Sequence, residues 1–309
     1  MILQKTLQKP VAITGIGLHS GRPVSMKLLP AKANTGIFFC RDDLSSKPLF
    51  RASAALVNDT RLCTSMQYKG CRVATIEHIM SALAGLGVDN VEIHLDTAEV
   101  PIVDGSAAPF VYLIQDAGLA SQDAIKKFIF IKQAVEIRDG DKWAKLQPYD
   151  RGFKLDFSID FAHPIIRKCH NTASLNLTTQ NYIQEISRAR TFGFLDDMEV
   201  LRHNQLALGG SLENAVVLDE FRVLNEKGLR YDNEFVRHKM LDAIGDLYLE
   251  GYAIVGHFIS HKTGHALNNQ LFRKLLADSS AYEISPWNKS IAESTSPQKN
   301  SGLSTSHIF

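Results

Sequence analysis

The chain has 309 residues, of which 45% are hydrophobic and 22% charged, and its net charge is +1. That composition supports a sizeable core without metal as a folding staple, and it removes any broad electrostatic case for a nucleic-acid partner. No run of about 20 apolar residues marks a membrane span.

In chain order, "MILQKTLQKPVAITG" lacks the apolar run of a signal peptide. Cys40, Cys63, Cys71 and Cys169 are scattered with no CxxC pair, the usage of reduced thiols in a cytoplasmic protein. "PVAITGIGLHSGRPVSMKLLPA" alternates about a Gly-rich turn, as a β-hairpin does. "ATIEHIMSALAGLG" predicts a helix stopped by glycine, "NVEIHLD" a strand, and "PIVDGSAAPFVYLIQDAG" a turn and short helix. The second half repeats the order: 132–161 mirrors 8–39, and 236–258 mirrors 76–95, with His238 matching His78 and Gly245 matching Gly85. The expected fold is therefore α+β, with two topologically similar domains over 1–125 and 126–277. Each has an antiparallel-type sheet with helices on one face, and the helices are sandwiched between the two sheets. Residues 186–220 have no counterpart in the first half and are expected to form a helix, a Gly-Gly break and a short strand, an insert of the kind that carries specificity. Residues 278–309, polar and Ser-rich, are expected to be disordered.

"FVRHKMLDAIGDLYL" (235–249) sets His238, Asp242 and Asp246 four residues apart among apolar neighbours. A step of four advances a helix face by about 40°, so the three groups form one column. Catalytic zinc takes three protein ligands and leaves one position open. His238 and Asp242 supply two, and the repeat nominates His78 as the third. The first-half match of Asp242 is Ala82, so the halves share one site. Glu77, beside His78, is placed to take a proton from water at the open position. In "SHKTGHALNN" (260–269), His265 is a candidate general acid with Asp246 as the group that keeps it protonated. Thr191 in "SRARTFGF" (187–194) offers a hydroxyl to an oxyanion.

Each feature has a plainer reading: a surface pair for His238 and Asp242, a half-buried polar pair for Glu77 and His78, an exposed loop at 260–269, a turn residue at 191. Two histidines and a carboxylate also make the facial triad of an iron(II) oxygenase, although a glutamate base and a proton donor are what hydrolysis requires. A nucleotide-sugar or acyl-chain binding protein without turnover is a third reading, and the intact set of three ligands, Glu77 and His265 weighs against it.

The ordered motifs "GIGLHSG", "TIEHIMSALAGLGVDN", "PIVDGSAAPF", "ARTFGF", "RHKMLDAIGDL" and "HKTGHALNN" closely resemble those of the zinc-dependent UDP-3-O-acyl-N-acetylglucosamine deacetylases, which catalyse the committed step of lipid A synthesis in Gram-negative bacteria. The resemblance covers about 1–275. It implies one zinc per chain, with iron(II) as an alternative in vivo, on His78, His238 and Asp242. It further implies Glu77 as base, His265 as acid with Asp246 beside it, and Thr191 as oxyanion donor. Lys239 would contact the sugar or diphosphate side of the substrate, Phe192 would pack on the sugar, and Phe161, Lys142 and Lys262 would receive the uridine diphosphate. The family fold has an inserted subdomain in each half. The second would form an acyl passage, lined here by Leu195, Met198, Ala207, Ser211, Ala215 and Val217. The enzyme would act on a small molecule, as a cytoplasmic monomer without a nucleic-acid partner. Cys63 matches a cysteine near the family's metal and is expected to be an inert buried thiol; His19 lies in a family motif with a structural or positioning role; His94 and His257 are expected to be sheet residues.

Overall fold

The computed structural model describes residues 1–287. Alternation builds the first sheet: in Pro23–Pro30, Val24, Met26 and Leu28 point to the core while Ser25 and Lys27 point away. Its strand order is Val11–Ile16, Pro23–Pro30, Val91–Leu95, Ile37–Arg41, Leu49–Arg51. The second half lays down the same order with Val135–Asp139, Lys142–Gln147, Ala253–His261, Phe153–Ser158 and Thr172–Leu177. The fold is α+β and duplicated, but the sheets are mixed rather than antiparallel. Ile37–Arg41 runs parallel to Val91–Leu95, and Phe153–Ser158 runs parallel to Ala253–His261. In each half these two strands are joined by a long connection that contains a helix, which lets the chain re-enter the sheet in the same direction.

Each half also has a closing antiparallel pair: Leu3–Leu7 with Leu119–Ile125, and Lys127–Ile131 with Tyr282–Pro286. The expectation of disorder from 278 onward is thus corrected for residues 278–287. Tyr282–Pro286 is a paired strand, and the Trp287 ring packs 5.5 and 5.8 Å from those of Phe128 and Phe130. Residues 288–309 of that expectation lie outside the described residues.

Four helices of ten or more residues matter for the site: α1 (Glu77–Leu86), α2 (Ala108–Ala117), α3 (Glu234–Asp246) and α4 (His265–Ala277). α1 ends at Gly87, whose φ of 71° permits its N–H to turn back onto the carbonyls of Leu83 and Ala84. α1 and α3 pack directly together between the sheets. Their approach depends on the glycine that the repeat aligns: a Cβ on Gly245 would stand 2.0 Å from the Glu77 carbonyl oxygen. Its counterpart Gly85 faces the Tyr182 ring, where a Cβ would meet a carbon at 2.1 Å.

Each half carries an insert. The first is a three-stranded sheet of Val57–Asp59, Ser65–Tyr68 and Cys71–Val73. The second contains the expected helix (Met198–His203), the Gly209-Gly210 break and the strand Val216–Leu218. It also contains a strand, Phe192–Phe194, that pairs parallel with the last. Its turn docks on the first half, where Leu208 and Gly209 donate backbone N–H to the carbonyls of His19 and Leu18 at 3.2 and 3.0 Å. His94 and His257 sit in sheet strands, as expected. Among the described residues no helix is long and apolar enough to cross a membrane.

Candidate metal centre

The α1–α3 contact brings His78 against His238 with ring centroids 5.1 Å apart and planes at 88°. Asp242, one turn beyond His238, faces both. Its Oδ1 lies 3.6 Å from His78 Nε2 and 3.3 Å from His238 Nε2, and all three residues are buried. His238 Nδ1 lies 3.1 Å from the Ala189 carbonyl, an oxygen that can only accept, so the ring's proton is on Nδ1 and its Nε2 presents a lone pair. Burial, reinforced by His78 and Lys239, pushes the His238 pKa down to about 3 against the pull of Asp242, so the imidazole is neutral. Lys239 holds the other oxygen of Asp242 at 2.7 Å. Burial favours the neutral acid, but the Lys239 and His265 charges outweigh that cost and hold the Asp242 carboxyl well below the usual range. Asp242 Oδ1 is left buried with no hydrogen-bond partner. A charged oxygen stranded against two imidazole nitrogens is costly unless a cation completes the set. The residues therefore fit a metal.

A second group with ligand chemistry, Cys40, Asp42 and His94, lies on the first sheet. It is closed by its own contacts. His94 Nδ1 is 3.1 and 3.2 Å from the two Asp42 oxygens, its Nε2 is 3.4 Å from Glu92, and the Cys40 thiol donates to Asp42 at 3.5 Å. Burial and that hydrogen bond push the Cys40 thiol up to about 11, so it stays protonated. Unlike Asp242, this group strands no acceptor.

Beside the ligand set, Glu77 and His265 approach with Oε1 and Nε2 3.9 Å apart. His265 Nδ1 bonds Asp246 Oδ2 at 3.0 Å, and Asn268, one turn along α4, donates to the same oxygen at 2.9 Å. Burial opposes charge on His265, but the charge and hydrogen bond of Asp246, with Glu77 and Asp242, lift its pKa to about 9. Burial raises the Glu77 pKa, with Asp242 and Asp246 adding to the rise, while His265 and His78 oppose it. Both groups hold their protons more tightly than usual, Glu77 through burial and His265 through Asp246, and two perturbed titratable groups within reach of each other are the pattern of an acid–base pair.

The segment before Phe192 is fixed on α3 by a buried ion pair, Arg190 Nε to Glu234 Oε1 at 2.8 Å. It carries the Ala189 carbonyl to His238. Thr191 follows, its backbone bonded to Gly105 and Val216. The Phe192 ring stands 6.3 Å from that of His238 and 5.3 Å from that of Phe161. Lys262 is held by Asp141 at 2.6 Å and Asp160 at 3.1 Å, and Lys142 is exposed at the start of its strand. Of the passage residues, Leu195 and Ser211 are exposed, and Met198, Ala207, Ala215 and Val217 are half-buried. Cys63 is buried, its thiol pushed up to about 12 by desolvation and the Glu77 charge, which makes it inert at neutral pH. Sequence reasoning missed Thr64 and Asn268 and read Lys239 only as a substrate contact. Asn268 had a signal, three residues after His265 on one helix, whereas Thr64 arrives from a distant insert and had none.

Two duplicated α+β halves that bring together a buried His-His-Asp set able to hold a metal, with a carboxylate and a histidine alongside, have the arrangement of a metal-dependent enzyme. The comparisons with known proteins name that class. The model of the LpxC family, UDP-3-O-acyl N-acetylglycosamine deacetylase, matches residues 4–277, and the chain belongs to this family of hydrolases. It is 56% identical over 285 residues to the UDP-3-O-acyl-N-acetylglucosamine deacetylase of Mannheimia succiniciproducens, covering 92% of this chain and 93% of the relative. The deacetylases of Idiomarina loihiensis and Pasteurella multocida are 57% and 55% identical, with the same coverage.

Proposed function

We propose that this protein hydrolyses the N-acetyl group of UDP-3-O-acyl-N-acetylglucosamine, releasing acetate, with one zinc ion held by His78, His238 and Asp242. The observation that carries the reading is the stranded Asp242 oxygen between two imidazole nitrogens, with Glu77 and His265 beside it. Zinc on such a set supplies Lewis acidity, polarising the acetamide carbonyl and bringing the pKa of water toward about 7. The chain's own groups do the rest. Glu77 takes a proton from the attacking water, Thr191 donates its hydroxyl to the oxyanion, and the C–N bond breaks as His265 hands its Nε2 proton to the departing amine. Asp246 and Asn268 keep His265 charged and oriented. Lys239, tied to one Asp242 oxygen, leaves the other for the cation and stands where the sugar side would enter. Phe161 and Phe192 form an aromatic wall for the sugar and uridine, Lys142 and Lys262 meet the diphosphate, and the second insert takes the acyl chain. Four cysteines free of disulfides suit a reducing cytoplasm, and a site built wholly within one chain suits a monomer.

The test is metal content measured together with acetate release from the acylated UDP-sugar. Chelation is expected to abolish release and zinc to restore it. Glu77→Ala is expected to keep zinc and substrate binding while losing about 10²–10⁴-fold in kcat. Normal turnover in that variant would reject the base assignment.

A further inference from the structure

We propose that Thr64 is a positioning residue of the reaction: it ties the base Glu77 of the first half to the acid pair Asp246–His265 of the second, and so sets the gap between them. The inference rests on the acid–base reading above. Thr64 is 1% exposed and lies in the first insert, just after Leu62 and Cys63. Leu62 has a φ of 61°, a left-handed conformation that a leucine adopts only under tertiary constraint, and it turns the chain into the site. From there Thr64 makes two bonds to two different carboxylates. Its backbone N–H donates to Glu77 Oε2 at 3.0 Å, and its hydroxyl donates to Asp246 Oδ1 at 2.6 Å, across 182 positions of sequence. Its carbonyl accepts the Ile76 N–H at 3.3 Å, which fixes Thr64 to the residue before α1.

The consequence follows from the two oxygens of each carboxylate. With Oε2 occupied by Thr64, Glu77 can only present Oε1 to His265, and it does so at 3.9 Å. With Oδ1 occupied by the hydroxyl, Asp246 turns Oδ2 to His265 Nδ1 and Asn268. Thr64, Glu77, His265 and Asp246 form a ring closed by three hydrogen bonds and one open gap. That gap is too long for a direct bond, and an atom lying to one side of it can be within hydrogen-bond reach of both base and acid. No hydrogen bond joins Thr64 to His78, His238 or Asp242. It acts by fixing the rotation of the two carboxylates that do the work.

Thr64→Val removes the hydroxyl, keeps the N–H and nearly keeps the volume. It is expected to lower kcat about tenfold to a hundredfold, a fraction of the range for acid–base groups, with KM within about twofold and metal content unchanged. Thr64→Ser is expected to restore most of the loss by restoring the donor. In a His265→Ala background Thr64→Val should cost little more, because the group it positions is gone. The inference is overturned if Thr64→Val turns over normally, if its loss appears in KM alone, if serine does not rescue, or if its fold-loss multiplies undiminished onto that of His265→Ala. Glu77→Ala and His265→Ala measured alongside separate the two ideas: normal turnover in those variants would sink the acid–base reading, whereas their failure with an unaffected Thr64→Val would sink only the positioning role.

Discussion

Adding one methyl group at Gly245 tests whether the helix contact itself makes the metal centre. The Cβ of Gly245→Ala would stand 2.0 Å from the Glu77 carbonyl oxygen, 2.9 Å from its carbon and 3.1 Å from its Cα. Ordinary contact begins near 3.4 Å, so the two helices must part by up to about 1.4 Å, the difference between 3.4 and 2.0 Å. The obstacle is backbone and cannot rotate away. Metal–ligand distances tolerate about 0.2 Å, and His78 rides on α1 while His238 and Asp242 ride on α3. A shift several times that tolerance must weaken the metal, and it also widens the gap between Glu77 and His265. The expected stability cost is about 1–3 kcal/mol, as for overpacked cores, which at this chain length lowers Tm by roughly 2–5 °C. Gly85→Ala is the control. Its obstacle is the Tyr182 ring, which bears no ligand, so it should cost comparable stability while keeping the metal. The assay is elemental analysis and Tm of each purified variant, with and without added zinc. A Gly245→Ala protein that holds one metal at full affinity and turns over normally would refute the reasoning.

Turnover is expected to follow a bell-shaped pH profile. It rises as Glu77, raised by burial, gives up its proton, and falls as His265, lifted to about 9 by Asp246, loses the proton it must donate. A bound dication lowers both values, so the alkaline limb should sit at or below 9. Asp246→Asn removes the charge that lifts His265. It should draw that limb toward the ordinary histidine range near about 6.5, and an unmoved limb would contradict the pairing. Lys126 and Asp89 form a buried ion pair at 2.9 Å, with Lys126 also donating to the Gly87 carbonyl that closes α1. Lys126→Met strands the carboxylate and should cost about 3–5 kcal/mol in urea unfolding at neutral pH, with kcat of the folded enzyme unchanged; a loss under 1 kcal/mol would show the pair to be idle.

The repeat was legible because both halves carry one pattern: Val-x-Ile strands, a Lys-Leu-x-Pro strand end and a glycine at the matching place on a central helix, Gly85 on α1 and Gly245 on α3. The same repeat carried a strand that composition concealed. Leu119–Ile125 closes the first half on Leu3–Leu7, so a partner for Lys127–Ile131 was due, and Tyr282–Pro286 supplies it. Polar, Ser-rich surroundings hid it, because an edge strand needs only backbone bonds and a little apolar cover, here Trp287 on Phe128 and Phe130. The parallel pairs were hidden for a similar reason. Period-two alternation fixes which face a residue takes but not the direction of its neighbour.

The amino-acid order alone determined the column of His238, Asp242 and Asp246, since helical pitch fixes the spacing of side chains four apart, and the match of His78 with His238, since duplication copies position. Only the folded chain decided that His78 meets that column, that one Asp242 oxygen is taken by Lys239 and the other left bare, and that a threonine from the first insert reaches both Glu77 and Asp246. Those are contacts between groups up to 182 positions apart in sequence, and their energies depend on burial and angle, which no local pattern encodes. Pitch and repetition are properties of the chain; desolvation and mutual orientation exist only once the two halves have closed.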